Sequence, residues 1–96
     1  MKIPPIPLIP NPQSAEAKAA VGFKWAPAEI GSRHRIGGEP EWLHTDRTPI
    51  CSCGSQMDFY AQLDSVGDKF CLADCGMIYV FVCWDCFESK SIFQSL

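Results

Sequence analysis

From residue 56 the chain reads QMDFYAQLD, so that Met57, Phe59, Ala61 and Leu63 alternate with Asp58, Tyr60, Gln62 and Asp64. A period of two predicts a half-buried strand with its apolar face turned inward. Residues 77–84, MIYVFVCW, form an unbroken apolar run rich in β-branched and aromatic side chains. That pattern predicts a central strand covered on both faces. The connection over residues 65–76 carries the turn formers Gly67, Asp68, Asp74 and Gly76, and residues 91–96 predict a short closing strand. Upstream the signals are weaker. Residues 14–20, SAEAKAA, predict two helical turns capped by Ser14. Residues 21–25 predict the start of a strand stopped by Pro27, and the three glycines of residues 30–38 predict turns. Residues 39–43, EPEWL, predict a helical turn with Pro40 at its first position. Together these elements predict a mainly β, small α+β fold: an antiparallel sheet with short helical turns.

Composition sharpens this picture. The chain has 96 residues, and the first twelve, MKIPPIPLIPNP, hold five of its eight prolines. Such a run favours extended polyproline geometry and offers few backbone donors. Residues 1–20 are therefore expected to be an arm, ordered only where it docks, and residues 21–96 the folded domain. A domain this small buries only about 60% of its unfolded surface, so a cross-link or a metal ion would help to hold it. Proline interrupts the opening apolar stretch too often for a secretory leader. No apolar run approaches the ~20 residues that span a membrane. The expected location is cytoplasmic, where stable disulfides are rare. The formal net charge of −3 and the pI of about 5.2 argue against nucleic acid as a partner. Arg33-His34-Arg35 is the one basic cluster, expected to be a solvated turn rather than an anion site.

Candidate chemistry rests on six cysteines. If the two long strands form an antiparallel hairpin, Met77 lies opposite Phe59, Tyr79 opposite Met57 and Cys83 opposite Cys53. One end of the hairpin then collects Cys51 and Cys53 of ICSCG with Cys83 and Cys86 of CWDC. Four thiolates about 2.3 Å from a tetrahedral zinc stand ~3.8 Å apart, and both spacings can reach that geometry. The expected site is a zinc knuckle holding one structural ion per chain. Gly54 would let backbone amides approach the sulfur, with Ser55, Asp85 and Ser89 as polar neighbours. The alternatives are disulfides, unligated buried thiols, and a redox couple at Cys83 and Cys86. A Cys51–Cys53 bridge would be strained, because i and i+2 in extended chain lie ~6.6 Å apart. A thioredoxin-like motif needs a following helix and more sheet, and only ten residues follow Cys86. Cys71 and Cys75 fall at the other end of the hairpin, as buried free thiols or a labile disulfide. His34 and His44 are expected to be exposed or locally hydrogen-bonded rather than ligands.

Three stretches carry a resemblance: HRIGGEPEWL (34–43), CSCGSQMDFYAQLDS (51–65) and ADCGMIYVFVCWDC (73–86). In that order they resemble the YwqG-like family of bacterial proteins and, more distantly, the programmed cell death protein 2 group. The resemblance implies a mostly antiparallel β fold with a structural metal at the cysteine pairs. It also implies a fold element at Gly37, Gly38, Pro40 and Trp42, with Gln62 as a strand residue. Its implied function is partner binding, chaperone- or adaptor-like. This chain is shorter than typical members, which implies a homodimer or another protein covering the exposed sheet edges. No nucleophile with a paired base and no phosphate-cradling loop is present, so no enzymatic activity is expected.

Overall fold

Two adjacent hairpins build most of the molecule, a computed structural model that describes residues 1–25 and 29–95. The strands are β1 (Ile6–Pro7), β2 (Arg35–Ile36), β3 (Asp58–Asp64), β4 (Met77–Val82) and β5 (Ser89–Gln94). They form one five-stranded sheet in chain order, every neighbour antiparallel. A short helix, α1 (Ala15–Ala20), begins at Ser14, whose hydroxyl accepts from the Ala17 amide at 3.0 Å. A 3-10 turn, Asp68–Phe70, sits in the β3–β4 connection. The fold is therefore mainly β and antiparallel, with β4 central as its apolar run demands.

Two features of the hairpin differ from expectation. Phe59 lies opposite Phe81 rather than Met77, a shift of four residues. The ladder starts directly at the connection, with Asp64 opposite Met77. Ser65 closes that connection: its hydroxyl donates to the Gly76 carbonyl at 2.8 Å and accepts from the Leu72 amide at 3.0 Å. The second difference is a bulge between Phe59 and Ala61. An extra residue inverts which side chains point inward. Met57 is buried as the alternation predicts, but beyond the bulge Gln62 and Asp64 turn in while Leu63 is 44% exposed. On β4 one face is buried (Met77, Tyr79, Phe81) and the other, with Ile78 and Val80, is only half covered.

Residues 39–43 form no helix. They run as a strap across the inner face, because three strands offer buried polar groups to the strap's own backbone. Gln62 Oε1 accepts from the Glu41 amide at 3.1 Å. Tyr79 donates its hydroxyl to the Glu41 carbonyl at 2.8 Å. Gln94 Oε1 accepts from the Leu43 and His44 amides at 2.9 and 3.0 Å, and its amide nitrogen donates to the Thr45 carbonyl at 2.8 Å. Trp42 stacks on Phe81 with centroids 5.7 Å apart and leans on Tyr79 at 4.6 Å. It thus packs, partly buried, against the core, which comprises Cys51, Met57, Met77, Tyr79, Phe81 and Cys83. Full burial of side chains such as Phe81 and Met77 stabilises by roughly 1.5–3 kcal/mol each.

The basic cluster is not a solvated turn. Arg33 Nε and Nη2 reach the two oxygens of buried Asp64 at 2.8 and 2.7 Å. Arg35 donates to the Gly37 and Glu39 carbonyls and lies over the Phe59 ring. Both guanidinium groups are occupied internally, because β2 carries them over the inner face of the sheet. The proline-rich arm docks on its own chain: Ile6 and Pro7 pair with β2, and the Gly38 amide donates to the Ile3 carbonyl at 2.8 Å. Residues 21–25 form no strand, only an isolated bridge from Gly22 to Gly67; Pro27 lies outside the described residues. The closing strand begins two residues earlier than expected, at Ser89. The radius of gyration, 14.5 Å, exceeds the roughly 12.5 Å of a compact chain this long. The core is correspondingly thin.

Candidate metal centre

Two turns, rather than the strands themselves, bring the thiols together. In the first, Ile50 and Gln56 form an isolated bridge, the Cys51 amide donates to the Ser55 carbonyl and the Gly54 amide to the Cys51 carbonyl, both at 2.8 Å. The second is the β4–β5 turn, closed by the Cys83 amide on the Glu88 carbonyl at 2.9 Å and the Phe87 amide on the Cys83 carbonyl at 2.8 Å. The residue after the second cysteine of each pair has a left-handed backbone: Gly54 at φ 94° and Phe87 at φ 60°. Only glycine adopts this without strain, so ICSCG is the relaxed version of the turn and CWDCF the strained one.

These turns place the sulfurs of Cys51, Cys53, Cys83 and Cys86 within 4.8 Å of one another. Cys51 and Cys86 approach to 3.1 Å, Cys53 and Cys83 to 3.7 Å. None of the four is bridged, and a disulfide would need about 2.05 Å. The 3.7 Å separation lies close to the ~3.8 Å edge of a tetrahedral thiolate site, and the 3.1 Å one is shorter than it. This group could hold a metal ion. One sulfur of each pair, Cys51 and Cys83, belongs to the buried core, while Cys53 and Cys86 face solvent. An ion bound here would tie the two turns to the centre of the sheet.

Polar contacts across the site lock one turn to the other. Ser52 donates its hydroxyl and amide to the Glu88 carboxylate at 2.9 and 3.2 Å, and the Ser55 hydroxyl donates to Asp85 at 3.3 Å. Lys90 reaches the Ile50 carbonyl at 2.9 Å. The Ser52 hydroxyl and amide hold the Glu88 carboxyl below the usual range. The Ser55 amide, then its hydroxyl, together with the adjacent Cys51 and Cys83 thiols, hold Cys53 down to about 7. The Cys53 amide favours a thiolate at Cys51 too. Proton sharing with Cys86, then burial and the other two thiols outweigh it, pushing Cys51 up to about 12. Ionisation is thus favoured at Cys53 and disfavoured at Cys51, and a cation bound here would have to displace the Cys51 proton.

The remaining candidates lie elsewhere. Ser89 makes none of the cross-turn contacts described, whereas Ser52 and Glu88 do, and nothing in their spacing along the chain predicts that pairing. His34 Nδ1 accepts from the Asp64 amide at 3.0 Å, and His44 Nε2 meets the Ser95 carbonyl. Neither histidine joins the four sulfurs. Cys71 and Cys75, both unbridged, sit in the β3–β4 connection. Among the described residues no helix is long and apolar enough to cross a membrane. Compared with family models, curated proteins and solved structures, the chain matches none.

Proposed function

We propose that this chain is a small, non-enzymatic β module stapled by one structural zinc ion and used to bind another protein. The observation that carries the metal reading is the convergence of four unbridged sulfurs within 4.8 Å, drawn from two turns with matching left-handed positions. Four thiolates close a tetrahedral shell and leave no position for substrate, so the ion would stabilise rather than catalyse. Among the first-row metals, a closed all-thiolate tetrahedron suits zinc. Close sulfur contacts run between the pairs, Cys51 to Cys86 at 3.1 Å and Cys53 to Cys83 at 3.7 Å, which favours one ion shared by both turns over a couple confined to Cys83 and Cys86.

Partner binding is supported by the outer face of the sheet. By strand alternation Leu63, Ile78, Val80 and Phe93 share it, and Leu63 and Phe93 are 44% and 46% exposed. The motif resemblance of residues 34–86 to YwqG-like proteins and the programmed cell death protein 2 group supports the same reading by analogy. The partner is then a second copy of this chain or another protein in the cytoplasm.

Elemental analysis of the purified chain tests the metal reading, beside a thiol-labelling time course and a measurement of mass in solution. One tightly held zinc per chain with slow labelling of Cys51, Cys53, Cys83 and Cys86 is expected. A metal-free protein whose one fast-reacting thiol maps to Cys83 or Cys86 would overturn it and assign that pair to redox chemistry.

A further inference from the structure

Cys71 and Cys75 lie outside the four-sulfur group, and the backbone around them is unusual. Ala73 and Cys75 both have left-handed backbones, at φ 53° and 55°, although neither is glycine. Together they fold the connection back on itself, so that the Cys75 amide donates to the Cys71 sulfur at 3.2 Å. The fold-back is pinned from four sides. The Gly76 amide donates to the Leu72 carbonyl at 2.8 Å, and the Ser65 hydroxyl bridges Leu72 and Gly76. Arg33 Nη2 donates to the Cys75 carbonyl at 3.3 Å. Side chains with β-carbons tolerate this conformation only where surrounding contacts impose it. Here its effect is to set one thiol beside the other. The two thiols differ in access: Cys71 is half-buried, whereas Cys75 is 4% exposed. Burial, and after it the adjoining Cys71 thiol, push the Cys75 thiol up.

We infer that Cys71 and Cys75 form a thiol–disulfide couple, separate from the metal centre, that a hydroperoxide oxidises. The more accessible Cys71 sulfur attacks the peroxide. The O–O bond breaks, an alcohol or water leaves, and Cys71 becomes a sulfenic acid. The Cys75 sulfur, losing its proton, then attacks the Cys71 sulfur, the S–O bond breaks and water departs. Two thiols thus lose two electrons and two protons to one peroxide, forming one disulfide. The bridge would close inside a single turn, in which the Cys75 amide already meets the Cys71 sulfur at 3.2 Å. Cys75 is screened more completely than Cys71, which places the first oxidation at Cys71.

The couple is separate from the other site, but Cys53, exposed and held down to about 7, would compete for peroxide where no ion covers it, so zinc content is measured first. The full chain with its zinc, or Cys53→Ser (one label fewer throughout) if the chain carries none, is treated with one equivalent of hydrogen peroxide. It is then denatured with a chelator, alkylated, and read by intact mass and fragment mapping. All six cysteines are unbridged in the structure, so untreated protein should take six labels. Treated protein should take four, with the loss confined to Cys71 and Cys75, and a thiol reductant should restore all six. In Cys75→Ser the intermediate has no partner, so a dimedone adduct should accumulate on Cys71, at least tenfold above wild type. If that variant does not fold, Cys71→Ser serves instead: peroxide should then leave Cys75 fully labelled. Failure of the metal reading would appear separately, as absence of bound zinc. The inference is overturned by a bridge mapped to other cysteines, by irreversible oxidation of Cys71 with no bridge, or by full labelling after peroxide.

Discussion

Asp64→Asn tests whether the buried ion pair sets the stability of the sheet. The Asp64 carboxylate accepts five hydrogen bonds. Gly31 N, Arg33 N and Arg33 Nε donate to Oδ2 at 2.7, 3.1 and 2.8 Å. Arg33 Nη2 and Ser65 N donate to Oδ1, both at 2.7 Å. The side chain is fully buried and that of Arg33 is 13% exposed. Asparagine keeps the shape but turns an amide group toward donors and leaves the guanidinium without its counter-charge. Breaking a buried pair from one side costs about 3–5 kcal/mol, a large share of the roughly 5–15 kcal/mol that holds a domain of this kind. Replacing both partners by apolar residues, Arg33→Met with Asp64→Leu, should cost less than the single change, because no unpaired charge remains.

The pH dependence supplies an independent check. Burial pushes the Asp64 carboxyl up, but the Arg33 side chain and the amides of Arg33 and Gly31 outweigh it and leave the group below its usual value. A carboxyl depressed in the folded state contributes fully above the unfolded aspartate value, about 3.9, and that contribution fades as pH falls through the folded value. Urea unfolding of wild type and variant should therefore differ by a constant amount from pH 7 to about pH 5 and converge only below about pH 4. Acid would also protonate any thiolates at the candidate metal centre, but in both proteins alike, so the difference between them is the quantity to read. A difference under about 1 kcal/mol at neutral pH, or one that shrinks between pH 7 and 5, would refute the clamp.

Two further outcomes follow from the geometry. Cys83→Ser and Cys53→Ser should each abolish stoichiometric zinc and loosen the whole domain, seen as loss of the cooperative thermal transition, while Cys71→Ser shifts the midpoint by only a few degrees; equal shifts for all three would contradict the division of the cysteines. Gly37→Ala should free the first eight residues, because Gly37 sits at φ 75° and a Cβ there would stand 2.4 Å from the Pro4 carbonyl oxygen. Hydrogen exchange at Ile6 and Leu8 should then accelerate at least tenfold while β4 stays protected.

Much of the architecture follows from local pattern. The apolar run of residues 77–84 marks an interior strand, and β4 is paired along both edges, although only one of its faces is buried. Ser14 caps its helix, Gly37 and Gly38 both take left-handed backbones, and Trp42 packs against the core, each as its residue type demands. The pairing of ICSCG with CWDC was also legible, since neighbouring strands fold back and two close thiol pairs must then meet near one end. Other features depended on contacts distant in sequence. The bulge at Tyr60 leaves no mark in a string of alternating residues, yet it turns Gln62 and Asp64 inward and Leu63 outward. Residues 39–43 carry a helical signal that lost to Gln62, Tyr79 and Gln94, whose buried polar groups bond the strap's backbone directly. Arg33 reads as solvated until β2 lays it against Asp64, 31 residues away. Periodicity and turn chemistry are properties of adjacent residues, so the chain alone determined the two strands of its main hairpin, its helix cap and the meeting of its cysteines. Register, the bulge and the partners of buried charges are settled only when distant groups compete for the same hydrogen bonds, and that competition exists only in the folded molecule.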